Sequence, residues 1–166
     1  MNDFLVSLEQ TALGKFIHES SSLLGFPLVL TMHTFGLCFI VGANVLVSMR
    51  LLGVASIIPL QPMRRLFPFM WLGLGLTVVS GFALAIAAAT TRLLNPILLF
   101  KLVLISVASP IMWRMQKKVF DNALVSGDTV PEGARAMAAS QLCLWLIVVI
   151  VGRLIAYSGT ILGEGY

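Results

Sequence analysis

The chain has 166 residues, 58% of them hydrophobic and 11% charged, with a mean hydropathy of +0.98 and a formal net charge of +4. A soluble domain carries roughly 25% charged residues, so this composition excludes an ordinary water-soluble fold. Several long apolar runs point instead to an all-α integral membrane bundle. The positive charge comes without an aromatic-interleaved basic patch, so no nucleic-acid partner is expected, and the charge reads as an orientation signal for the loops.

Residues 2–19 place Phe4, Leu5, Leu8, Ala12, Phe16 and Ile17 at spacings near three and four, between Asp3, Glu9, Gln10, Lys15 and Glu19. This pattern predicts one amphipathic helix, too polar to span a bilayer and suited to its interface. The stretch lacks the basic start and apolar centre of a signal peptide, so the first span is expected to direct insertion. His18, near its end, reads as a wet interfacial histidine.

Ser20, Ser21 and Ser22 supply a hinge and a cap, and the first span follows over residues 23–49. It contains no acid, lysine or arginine and exceeds the ~20 residues needed to cross a bilayer core. Pro27 lies in its first turns, where proline is tolerated. His33 is the only histidine in any long apolar run of the chain. An ionisable side chain inside a span is a candidate functional residue, because a neutral one would have cost nothing.

A connector with Arg50, Gly53, Pro59, Pro62, Arg64 and Arg65 leads to the second span, residues 66–89. There Gly73, Gly75, Ser80, Gly81, Ala85 and Ala89 recur at nearly four-residue spacing. Such a face lets another backbone approach or clears room for a flat cofactor. Asn95-Pro96 opens the third span, residues 95–113, which carries Lys101 and exits into Arg114, Lys117 and Lys118. A polar loop over residues 120–135 precedes the fourth span, residues 138–157, with Arg153 near its end. Residues 1–166 thus read as a single membrane domain. Cys38 and Cys143 both lie in apolar runs without metal-type spacing and read as small core residues.

The first and third connectors hold Arg50, Arg64, Arg65, Arg114, Lys117, Lys118 and Arg135, against Lys15 and Arg92 on the other side. The positive-inside rule then puts both termini outside, in the periplasm for a bacterial inner membrane. By this topology His33 lies about 15 Å from the outer surface, Lys101 about 9 Å and Arg153 about 6 Å, at 1.5 Å per residue. Lys101 and Arg153 are near enough to helix ends to snorkel. His33 is not, and Thr31, Thr34, Thr77 or Ser80 would have to satisfy it. Taken together, three basic groups with no acid in the same spans call for an anion or an electron-rich ligand. Haem b with His33 as iron ligand, a quinone headgroup and a lipid phosphate all suit them, and the spacing does not choose.

Bis-histidine haem would require a second deep histidine, so His33 with Lys101, or with an open position, is the haem arrangement that remains. The eight methionines are dispersed, which argues against a copper site. No nucleophile, base and orienting acid converge, so a hydrolytic site is not expected.

The segments HESSSLLGFPLVLTMHTFG, MRLLG, NPILLFKLVLI and VGRLIAY resemble small bacterial four-helix membrane proteins of unassigned function. These are similar in plan to copper-resistance-D-type proteins and, more distantly, to the four-helix haem-binding protoporphyrinogen oxidase. The resemblance implies a functional pair at His33 and Lys101. It also implies acids where this chain has Leu30 and Ser48, and an Asn and a His near the end of the third span, where it reads SPIMWR. This thinner polar inventory favours an accessory subunit that packs against a larger membrane complex, redox or energy-converting, among membrane lipids. The alternative is a haem b-binding redox protein.

Overall fold

A computed structural model describes residues 2–19, 23–121 and 130–155. The described residues are helical, with no strands. In chain order the elements are α1 (Asn2–Glu9), α2 (Ala12–Glu19), α3 (Phe26–Leu52), α4 (Leu60–Met63), α5 (Leu66–Ile86), α6 (Ala89–Arg92), α7 (Pro96–Met115) and α8 (Ala134–Ile155). A π-helical segment, Gln116–Asp121, extends α7. Four helices, α3, α5, α7 and α8, are long and apolar enough to cross a membrane.

The helix ends follow from local chemistry. Pro27 sits in the first turn of α3, and Gly53 closes it in the left-handed region at φ 90°, its N–H returning to the Arg50 carbonyl. Arg50 is buried at that end and donates from Nε to the Ile58 carbonyl of the connector. Asn95 caps α7, its side chain accepting from Ile97 N at 2.9 Å, with Pro96 at the first helical position. The second span ends at Ile86, three residues short of the expected boundary, where a turn leads into α6. The third runs past Trp113 to Met115 and through the π turn, and the fourth starts at Ala134 rather than 138. Tyr157, the expected end of the fourth span, lies outside the described residues.

The N-terminal stretch is two short helices, not one. Thr11 breaks it, donating to the Leu8 carbonyl at 2.6 Å and accepting from Gly14 N at 3.2 Å, which caps α2. Leu5 and Ile17 are buried, whereas Phe4, Leu13 and Phe16 are exposed. Glu9 Oε1 accepts from Thr90 N at 2.9 Å and from Thr90 Oγ1 at 2.7 Å, tying α1 to α6.

The bundle is ordered α5, α3, α8, α7 by neighbour contact. α3 and α5 meet at two glycines: a Cβ at Gly73 would stand 2.7 Å from the Gly36 carbonyl oxygen, and one at Gly36 2.9 Å from the Gly73 carbonyl oxygen. Part of the small-residue face of the second span is therefore spent on helix packing. Exposed side chains include Val79 at 71%, Phe82 and Leu146, while Asn44, Ser48 and Gln141 are buried. Apolar residues outside and polar ones inside fit a hydrocarbon solvent. Cys38 and Cys143 are exposed rather than core residues, on helix faces of that kind.

The apolar core, with Val47, Leu51, Phe67, Met112, Val119 and Phe120, lies toward the end where the basic connectors gather. There Phe67 packs on Phe120 with ring centroids 5.0 Å apart, Trp71 Nε1 donates to Gln116 Oε1 at 2.9 Å, and Arg64 pairs with Asp121 at 3.1 Å. These contacts bring α5 and the extension of α7 together. Toward the opposite end the same two helices are separated by a cavity.

Candidate functional site

That cavity, of about 110 Å³, is an apolar crevice with one open side. Val78, Phe82 and Ala85 of α5 and Leu98, Leu102 and Ile105 of α7 form its walls, and His33, Thr77 and Lys101 are its polar lining. His33 comes from α3, so three spans contribute to it.

His33 Nδ1 lies 3.0 Å from Ser80 Oγ. The single hydroxyl proton of Ser80 is directed to the Leu76 carbonyl one turn earlier, so Ser80 meets the imidazole as an acceptor and Nδ1 carries the proton. Nε2 is then the lone-pair nitrogen of the neutral ring. Of the hydroxyls able to satisfy His33, Thr31 and Thr34 are engaged within α3, donating to the Pro27 and Leu30 carbonyls at 2.7 and 2.9 Å. Gly81 gives the ring its space: a Cβ there would lie 3.3 Å from His33 Cε1.

Lys101 enters from α7 five residues past its start and is only 9% exposed. Its ammonium does not snorkel to the helix end. It turns toward α8, where a Cβ at Gly152 would stand 3.0 Å from Nζ and 3.5 Å from Cε. Among the described residues it has neither an acid nor a hydrogen-bond acceptor as partner. Of the acids, Glu9 is engaged by Thr90 and Asp121 by Arg64. Thr77 is 3% exposed, and its hydroxyl also lacks a partner among the described residues.

The structure thus brings His33 and Lys101 to one cavity and leaves Arg153 out of its lining. Arg153 follows Gly152 directly on α8, with an exposed side chain, as expected of a residue near a helix end. The side chain of His18 lies outside the described residues. No family model, curated protein or solved structure matches the chain.

Three features of the structure escape a reading by residue type. Gly152 is one, since nothing in the sequence ties it to Lys101. The apolar wall of α7 is another, although Leu98, Leu102 and Ile105 stand three or four residues apart around Lys101 and so share its helix face. The third is a buried polar network outside the crevice. Asn44 Nδ2 donates to Gln141 Oε1 at 3.3 Å, Ser48 Oγ to Asn44 Oδ1 at 3.3 Å, and Gln141 Nε2 to the Ala108 carbonyl at 2.7 Å. Asn44 and Gln141 are the signal that could have revealed it, as the amide side chains within α3, α5, α7 and α8.

A tetrapyrrole does not fit the crevice in this conformation. An apolar cavity of about 150 Å³ holds benzene, and about 110 Å³ is smaller still. Haem at His33 Nε2 would require α5 and α7 to part. Among the described residues no group of three or more His, Cys, Asp or Glu is placed to hold a metal ion. What the crevice offers is a polar floor for one small headgroup and an open apolar side for a chain.

Proposed function

We propose that the protein is a small polytopic accessory subunit of the bacterial inner membrane that holds a membrane-soluble amphiphile by its head in the crevice between α5 and α7. The observation that carries this reading is Lys101, buried, unpartnered among the described residues, and lining a cavity otherwise walled by apolar side chains. An ammonium in hydrocarbon is expensive unless something pairs with it. Orientation follows the basic residues: the connectors bearing Arg64 and Asp121 share one end of the bundle, and we assign that end to the cytoplasm and both termini to the periplasm. The thin polar inventory supports an accessory role within a larger membrane complex.

The test is extraction and mass analysis of the protein purified in mild detergent, with absorption spectra of its oxidised and dithionite-reduced forms. The expected result is about one amphiphile retained per chain in wild type, its loss in Lys101→Met, and no visible bands. A Soret band that disappears in His33→Ala would replace this reading with the haem b alternative. Protein that retains no amphiphile would overturn it.

A further inference from the structure

Resting on that reading, we infer that the head held in the crevice is an anion, a carboxylate or phosphate monoester, paired with Lys101, and not a neutral ring. The crevice has more donors than acceptors to offer a ligand. Lys101 Nζ has three protons and no acceptor among the described residues, against the single bare Nε2 of His33, while the Thr77 hydroxyl is buried toward Gly36 at the α3–α5 crossing. Among the described residues no acid lies in α3, α5, α7 or α8, so no carboxylate on these helices balances the ammonium at the head site. A carboxylate or phosphate supplies acceptors and the missing charge together, and charge-assisted hydrogen bonds of this kind are roughly twice as strong as neutral ones. A neutral quinone carbonyl would accept one hydrogen bond and leave the lysine charge unbalanced in an apolar wall.

Packing adds a second argument. The ammonium is turned inward, against Gly152, although α7 begins only five residues before Lys101 and a lysine so placed reaches the headgroup layer easily. Gly152 leaves open the space that an inward-turned lysine needs. The apolar side is also suited to an acyl chain: Leu98, Leu102 and Ile105 lie along one face of α7, opposite Val78, Phe82 and Ala85 on α5. The chain can lie between these helices and continue into the bilayer, so only the head needs enclosed volume. That matches a cavity of about 110 Å³.

The experiment uses the full chain in detergent or nanodiscs and oleate labelled with ¹³C at the carboxyl carbon. The bound carboxyl should give a separate resonance that saturates near one equivalent. Oleyl alcohol and oleylamine, tried on the same wild-type protein, should bind at least tenfold more weakly, a comparison that needs no variant to fold. Lys101→Met should weaken oleate at least tenfold, while Lys117→Met, at the basic end of the bundle, should leave it unchanged. Competition separates the two sources of the anion. Displacement by dioleoyl phosphatidate would make a phospholipid head the natural occupant, and resistance to it a free fatty acid. Either outcome supports an anion site. Equal binding of oleate and oleyl alcohol, or oleate binding indifferent to Lys101→Met, overturns the inference. If decylubiquinone alone binds, in a His33-dependent way, the anion is wrong and the crevice reading stands. If no amphiphile binds and none is retained on purification, both fall.

Discussion

Gly152 and Lys101 form a pair across α7 and α8: the lysine ammonium lies where a side chain at 152 would begin, 3.0 Å from the position of its Cβ. Gly152→Ala should therefore be nearly silent in stability. The clash is with the far end of a flexible side chain, and alanine returns up to about 1 kcal/mol in helix propensity. Ligand binding should suffer instead, because Nζ must move. We expect an unchanged thermal midpoint and a several-fold loss of oleate affinity. Unaltered affinity would mean that the inward position of the ammonium is incidental.

The His33 tautomer makes a sharper prediction. Ser80 spends its proton on the Leu76 carbonyl, so it accepts from Nδ1 and fixes the ring with Nε2 bare. Side-chain ¹⁵N spectra of histidine-labelled protein should place the proton on Nδ1 in wild type and give a mixture of tautomers in Ser80→Ala. Such a local hydrogen bond is worth about 1 kcal/mol, so the variant should fold. A wild-type proton on Nε2 would show that the serine donates to the ring.

The α3–α5 crossing should be far less forgiving than the lysine site. At Gly36 a Cβ would meet Thr77 Oγ1 at 2.5 Å, Thr77 N at 2.8 Å and Gly73 O at 2.9 Å, and at Gly73 it would meet Gly36 O and Ile40 N at 2.7 and 2.8 Å. These neighbours are mostly backbone and cannot rotate away. Gly36→Ala and Gly73→Ala should each destabilise by about 1–3 kcal/mol as overpacking does. Gly42 and Gly75 face open space, and alanine there should be neutral or mildly stabilising. Denaturation in mixed micelles, read by helical ellipticity, checks all four. Equal tolerance at the four positions would exclude a close crossing.

The sequence made the four spans legible because length and hydropathy are properties of each segment alone. Pro27 and Asn95-Pro96 marked two helix starts for the same reason. It also singled out His33 and Lys101, since charge in an apolar run is visible without a fold. It did not distinguish Lys101 from Arg153, which occupy similar depths on their helices. What separates them is rotation: Lys101 turns toward α8 and is buried, whereas Arg153 is exposed. Rotation about a helix axis depends on packing, and here the apolar residues surround each helix too evenly to reveal a buried face. The same limitation placed Cys38 and Cys143 in the core when they lie on exposed faces. The break at Thr11 is hidden in the sequence because one amphipathic period runs through it, and only the capping hydroxyl marks it locally.

Asn44 and Gln141 offer the cleanest test of how the bundle is held away from the crevice. Their amides meet at 3.3 Å between α3 and α8, and Gln141 also donates to the Ala108 carbonyl of α7, so one glutamine ties three spans. Within membranes such bonds average about 0.6 kcal/mol and reach about 1.7. Removing one partner also strands the other at a buried position, which costs about 1–3 kcal/mol. Asn44→Leu and Gln141→Leu should then each destabilise, and the double variant should be less destabilised than the sum, by a coupling of about 1 kcal/mol. Gln141→Leu should cost more than Asn44→Leu, because it loses contacts to two helices. Additive losses would mean that each residue acts through its own packing and that the amide pair contributes nothing as a pair.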